Sequence, residues 1–322
     1  MSVAYGTAPM TLALITGGAG FLGATLAARL AASGTSVRVL DAMLPETGAN
    51  PFNLHAVAHE FIQADLRADD LSAAVAGVDL VFDLAGQTSH MGSQADPQGD
   101  LAHNADARLR LILALREAAP QARVVYASTR QLYGRPRYQP VDETHPIDPP
   151  DANAVSKWAG EQYWLLEHKV HGRHVAALRL TNCFGPRLRV KDARQTFVGI
   201  WIRRTVEGQP FEVWGGEQSR DFLHADDVAD AFLRAAQTDA CAGRAFNLGG
   251  TPPVSLLRLA ELMGGDFTVR AMPEDRAKID VGSVTLDDRA FRAATGWSPR
   301  VSLSAGLSDT LAYYRENLSR YL

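Results

Sequence analysis

The sequence predicts an α/β protein: a doubly wound parallel sheet with helices on both faces, followed by a smaller lobe. Short apolar runs alternate with longer amphipathic segments through the first half of the chain, the pattern of a parallel sheet. The first of these runs also leads straight into spaced glycines and then a helix.

The apolar runs come in order as "TLALIT" (11–16), "SVRVL" (36–40), "HEFIQ" (59–63), "DLVFDLA" (79–85) and "ARVVYAS" (122–128). Each is short, rich in branched residues and bounded by polar or glycine-containing turns, as a buried strand requires. "DARLRLILALREAA" (106–119) is an amphipathic helix between two of them. "DANAVSKWAGEQYW" (151–164) begins a second, and "HVAALRL" (174–180) is the next strand. After about residue 180 the pattern turns irregular and richer in Gly, Pro and Trp. The expected division is a nucleotide-binding domain over 1–180 and a lobe over 181–322, with a return to the sheet near 223–250.

The chain has 322 residues, 46% hydrophobic and 21% charged, which is ordinary for a globular protein. A formal charge of −4, without blocks of like charge, gives no expectation of nucleic-acid binding. No apolar run approaches the ~20 residues that span a bilayer, and no basic-then-apolar leader precedes the first strand. Two cysteines, Cys183 and Cys241, are too few for a disulfide framework. A cytoplasmic protein with no membrane partner is the expectation.

Gly17, Gly20 and Gly23 stand between the first strand and its helix. Glycines there permit a tight turn, close backbone approach to a pyrophosphate and close packing of helix on strand. The amides at the helix start, at Phe21 and Leu22, would face the phosphates. This makes the sheet Rossmann-type. Asp41 ends the second strand, where a carboxylate can accept hydrogen bonds from ribose hydroxyls and would repel a 2′-phosphate. With no arginine directly after it, the expected cofactor is NAD.

The glycine spacing is Gly-x-x-Gly-x-x-Gly, and Lys157 lies far downstream. Together with "ADL" (64–66), "DLAGQ" (83–87), "YASTRQLYG" (126–134), "RLTNCFGP" (179–186), "FNLGG" (246–250) and "TGWSP" (295–299), this resembles the extended short-chain dehydrogenase/reductase family, and within it the sugar-nucleotide epimerases and dehydratases. The resemblance runs over almost the whole chain. It implies that Asp65 and Leu66 contact the adenine and that Leu84, Ala85 and Gly86 edge the nicotinamide side. It also implies a nucleotide diphosphate sugar as substrate and a homodimer paired through the helices 104–118 and 156–167.

The family carries a Ser/Thr, a Tyr and a Lys in its active site, the last two spaced Tyr-x-x-x-Lys. The phenolate exchanges a proton with a sugar hydroxyl, while the lysine lowers the phenol pKa and holds the nicotinamide ribose. Thr129 and Lys157 match; the tyrosine position is Asn153. An amide donates and accepts hydrogen bonds but does not accept a proton near neutral pH. Asn153 is expected to orient a hydroxyl, with Lys157 chiefly a cofactor-holding residue. His90, in the loop after the fourth strand, is a candidate base, and it and Gln87 are placed against the substrate.

Dehydratases and decarboxylases of the family carry a carboxylate just after the Ser/Thr, whereas Arg130 and Gln131 follow Thr129 here. Epimerisation, at C4 through a transient keto-sugar, becomes the expected activity. A dehydratase or reductase using other pocket residues, or a silent nucleotide-sugar-binding protein, are the alternatives. Asn182 and Arg220 match family positions that hold the pyrophosphate. Arg276 is a further clamp, and Trp214 is placed to stack on the nucleobase. His168, His171 and His174 cluster in sequence, but a helix end at Gly172 would spread their rings, and no metal site is expected.

Overall fold

The computed structural model describes residues 12–192, 196–250 and 252–322. Thr11, the first residue of the expected first strand, lies outside them. Six strands form where the apolar runs predict: β1 (Leu12–Thr16), β2 (Ser36–Asp41), β3 (Glu60–Gln63), β4 (Leu80–Asp83), β5 (Arg123–Thr129) and β6 (Val175–Leu180). A seventh, Arg244–Leu248, pairs with β6 at the edge. The order is seventh strand, β6, β5, β4, β1, β2, β3, and every pairing is parallel.

Side chains of a strand alternate between faces, so a sheet wound on both faces must be apolar at successive positions. In β1, Ala13 and Ile15 join one core and Leu14 the other. The first core packs the helices Phe21–Ala32 and Ala225–Gln237 on one face. The second packs Ala107–Ala118 and the long helix Ala152–His171 on the other. That long helix starts where Asp151 Oδ1 accepts from the Ala154 amide at 2.8 Å, and it ends at Gly172 in the left-handed conformation. The chain after β6 adds a separate core around Trp201, Phe211, Leu259 and Tyr314, with the short parallel pair Phe211–Trp214 and Phe267–Arg270 beside it.

Strand order runs outward in opposite directions on either side of β1, so a crevice opens at the carboxyl ends of β1 and β4. The glycine turn lies at that crevice, and two of its glycines are required by space. Gly17 has φ +66°, with Ala85 backbone atoms 2.8 Å from where a Cβ would sit. At Gly23 a Cβ would stand 2.3 Å from the Gly17 carbonyl oxygen. Gly23→Ala should therefore lower unfolding free energy by about 1–3 kcal/mol, the usual cost of overpacking. A urea midpoint equal to wild type would contradict this account of the turn.

Candidate active site

Every candidate residue named from the sequence borders one cleft of about 1400 Å³, running from the glycine turn past Thr129 and Lys157 to Trp214 and Arg276. At the cofactor end, Asp41 accepts from the Ala19 amide at 3.1 Å and the Met43 amide at 2.9 Å. Burial pushes its carboxyl pKa up, against the pull of those two amides. The turn supplies what a bound dinucleotide requires: glycines that leave no room for a side chain, helix-start amides and a carboxylate fixed at the end of β2. Asp65 is paired with Arg67, Nη2 to Oδ2 2.6 Å.

Lys157 is buried. Its Nζ donates to the Ala127 carbonyl at 3.2 Å, and a Cβ on Gly86 would be 3.6 Å from it. Burial, then the nearby Arg108 charge, pushes its pKa down to about 8, against Asp83 and Asp100.

Asn153 is 2% exposed, and both of its amide hydrogens are committed. Nδ2 donates to the Gln87 carbonyl at 2.8 Å and to Asp100 Oδ1 at 2.9 Å. Asn104 donates to the same two acceptors, each at 3.1 Å. Turning the Asn153 amide over would set its oxygen against a carbonyl and a carboxylate, so the network dictates the orientation. Its two hydrogens thus anchor the loop after β4, and Oδ1 is what remains to meet a ligand.

That loop carries Gln87 and leads into a short helix, His90–Ala95, so His90 opens a helix rather than lying in the expected loop. The Gln87 side chain folds back on its own loop, accepting from the Ser89 amide. His90 Nδ1 lies 2.8 Å from Asp151 Oδ2, and Gln131 Nε2 donates to the same oxygen at 3.4 Å. Burial pushes Asp151 up, but the His90 hydrogen bond and charge, with the Ala154 amide, outweigh it and the carboxyl ends below its ordinary pKa. Thr129 Oγ1 accepts from the Gln131 amide at 3.1 Å.

The other tyrosines near the sheet are spent on structure. Tyr126 donates to the Lys157 carbonyl at 3.3 Å and Tyr133 to Asn247 Oδ1 at 2.8 Å. Burial raises both phenols, Tyr133 to about 12.

At the other end of the cleft, Arg130 Nη2 donates to Asn182 Oδ1 at 3.2 Å. Arg220 is buried and paired with Asp280, Nη2 to Oδ1 3.0 Å. Burial, with the Arg130 charge adding, pushes Arg220 down to about 10. An anion arriving there would share Arg220 with Asp280. The Arg276 guanidinium stacks 5.4 Å over the Trp214 ring. Away from the cleft, the three clustered histidines separate: His168 Nδ1 contacts the Arg173 carbonyl, His171 lies near Glu167, and His174 Nε2 contacts the Ala235 carbonyl.

A parallel sheet with this turn, an aspartate closing β2 and a buried lysine at the crevice define a nucleotide-binding enzyme fold. The model of the NAD dependent epimerase/dehydratase family matches residues 13–249, and the chain belongs to that family. NAD is accordingly its cofactor. The chain is 31% identical to a UDP-glucose 4-epimerase of Mycolicibacterium smegmatis, covering 94% of this chain and 98% of the relative. A dTDP-glucose 4,6-dehydratase of Streptomyces niveus is 30% identical, over 94% and 93%. The structure of a Thermotoga maritima UDP-glucose 4-epimerase with UDP-glucose superposes with a TM-score of 0.86 at 26% identity, over 96% of this chain and 100% of that one.

Sequence reasoning missed Asp100, Asn104, Arg108 and Asp151. Asp151 is legible as a helix cap, since Asp before an apolar helical pattern is a start signal. Its partner His90 lies 61 residues away, and no local pattern joins the two. Asn104 sits on a π-helical turn, Ala102–Asp106, the kind of helix defect often found at functional sites.

The Lys157 shift has a pH consequence. At pH 7 folded and unfolded chains both hold the proton, and the folded state bears the cost of a buried ammonium. Between about pH 8 and the ordinary 10.5 the folded chain sheds its proton first. The unfolded state then binds more protons, so this contribution to stability rises with pH. Urea denaturation should show wild type gaining about 2–3 kcal/mol relative to Lys157→Met between pH 7 and pH 10. Parallel stability curves would remove the buried ammonium from this role.

Proposed function

We propose that the chain is an NAD-dependent epimerase of a nucleotide diphosphate sugar, acting at C4 through a transient keto-sugar. The observation that carries this reading is the segment after Thr129. Arg130 is bound to Asn182 and Gln131 to Asp151, and neither is a carboxylate that could take a proton beside a keto group. A 4-epimerase among the relatives supports it further. In this reading Lys157 holds the nicotinamide ribose, and Thr129 and the Asn153 oxygen meet the sugar. Asp41 favours NAD over NADP.

Asn182 and Arg220 hold the pyrophosphate, and Trp214 with Arg276 holds the base. In this reading the protein is a cytoplasmic homodimer, and the long helix supports the pairing. Val155, Trp158, Leu166 and Val170 are exposed at helical spacing along one of its faces, and Leu113 is exposed on the neighbouring helix.

Incubating the NAD-loaded protein with UDP-, dTDP- and CDP-hexoses should yield the C4 epimer of one of them, read by NMR of the sugar. A 4-keto-6-deoxy product would make the protein a dehydratase, and binding without turnover would make it a silent binder. Arg220→Ala should weaken nucleotide-sugar binding by about 1.5–3 kcal/mol, the worth of a charged hydrogen bond. Calorimetry with unchanged affinity would place the pyrophosphate elsewhere.

A further inference from the structure

We propose that His90 is the acid/base residue that does the work of the absent phenol, with Asp151 as its positioning residue. This rests on the epimerase reading above and names the group that reading leaves open.

Oxidising a sugar carbinol requires somewhere for the hydroxyl proton to go. The O–H bond breaks and its proton passes to an acceptor. The O–H electron pair becomes the second carbon–oxygen bond, and the carbinol hydride would be accepted by the oxidised NAD that the glycine turn, Asp41 and Lys157 would hold. The return on the other face of the sugar reverses each transfer, so the acceptor must also give the proton back. Near neutral pH, imidazole is the side chain whose ordinary pKa suits both halves.

The geometry sets one imidazole in position. The Asp151 side chain is fully buried and the His90 ring 38% exposed, so one member of the pair is a fixed support and the other reaches the cleft. An ionised carboxylate only accepts hydrogen bonds, so the 2.8 Å contact puts the proton on Nδ1 and leaves the Nε2 lone pair free. Asp151 is itself immobilised by the Ala154 amide and Gln131. The His90 backbone is fixed as well, with Ser93 Oγ donating to its carbonyl at 2.7 Å.

This also accounts for Asn153. Its hydrogen bond to the Gln87 carbonyl anchors the loop three residues before His90, while Asp151, two residues before Asn153 on the same helix start, anchors the ring. The position that carries the proton-transfer group elsewhere in the family here supports its replacement.

Competing groups are engaged elsewhere: His103, the other imidazole lining the cleft, sits beside the Asp65–Arg67 pair. Lys157 donates to the Ala127 carbonyl. Tyr126 and Tyr133 are buried and bonded to Lys157 and Asn247. Asp100 Oδ1 is taken by two asparagines, and Oδ2, without a hydrogen-bond partner, is buried in a residue only 1% exposed.

Three variants and one spectroscopic measurement test this. His90→Gln should lower kcat by about 10²–10⁴-fold, the usual worth of general acid–base catalysis, with NAD affinity unchanged. His90→Ala should recover turnover when free imidazole is added. Asp151→Asn keeps a good helix cap and removes the charge. Its kcat should fall less than that of His90→Gln.

Nitrogen NMR of the NAD-loaded protein should show the Nδ1–H tautomer of His90 in wild type and loss of that preference in Asp151→Asn. This readout needs no substrate. If wild type turns over no sugar, the epimerase reading fails on its own. A His90→Gln enzyme with wild-type kcat, or a wild-type His90 in the Nε2–H tautomer, overturns the present proposal.

Discussion

A single buried carboxylate, Asp83 at the end of β4, ties together the elements on which the cleft depends. It is wholly buried and receives three groups from three directions: Thr16 Oγ1 at 2.7 Å, Trp164 Nε1 at 2.8 Å and Arg108 Nε at 3.0 Å. The arginine contact is too poorly aligned to be a directed hydrogen bond and acts as charge pairing. Together they join β1, β4 and the two helices on that face. A buried charge is costly unless paired and hydrogen-bonded, so Asp83 requires all three elements in place at once. The glycine turn begins directly after Thr16, and Lys157 lies on the helix that carries Trp164. The glycine turn and Lys157 are thus registered to one point.

The same helix is held from its other side by a second polar network. Glu161 accepts from Ser128 at 2.6 Å and from Arg179 Nη2 at 2.6 Å, and Arg179 Nη1 reaches the Tyr133 hydroxyl at 2.6 Å. Tyr133 then donates to Asn247 on the edge strand. Helix, β5, β6 and the seventh strand are joined by groups that are mutually satisfied, which is the condition under which a buried polar network rigidifies. Positioning of Asp151, Asn153 and Lys157 along one helix start is only as good as that helix's placement, and two networks fix it.

Charge is arranged around Lys157 with little margin. Arg108 opposes its protonation while Asp83 and Asp100 favour it, and burial tips the result toward an easily lost proton. Asp100 holds this place through its bonds to Asn104 and Asn153. The π-helical turn at Ala102–Asp106 shifts the helix register at the point where Asn104 meets that carboxylate. A lysine, two asparagines and an aspartate therefore form one structural unit, in which a change at 153 is felt by the loop after β4.

Much of this was written locally. Six strands, the glycine turn, the acid ending β2 and the helix carrying Lys157 each follow from patterns that span a few residues, because strand and helix periods and glycine's freedom at positive φ act over that range. Asn153, four residues before Lys157, is also visible in the sequence, and so is the absence of a carboxylate directly after Thr129. What Asn153 bonds to is not visible. Gln87 and Asp100 lie 66 and 53 residues away, and their approach is decided by where β4 and the following helices pack. His90 and Asp151 are in the same position, each an ordinary loop or cap residue until the sheet brings them within 2.8 Å. Directional hydrogen bonds between residues distant in sequence have no local period to betray them. The sequence alone determined the fold and the asparagine at 153, while the tertiary structure decided which side chains meet around it.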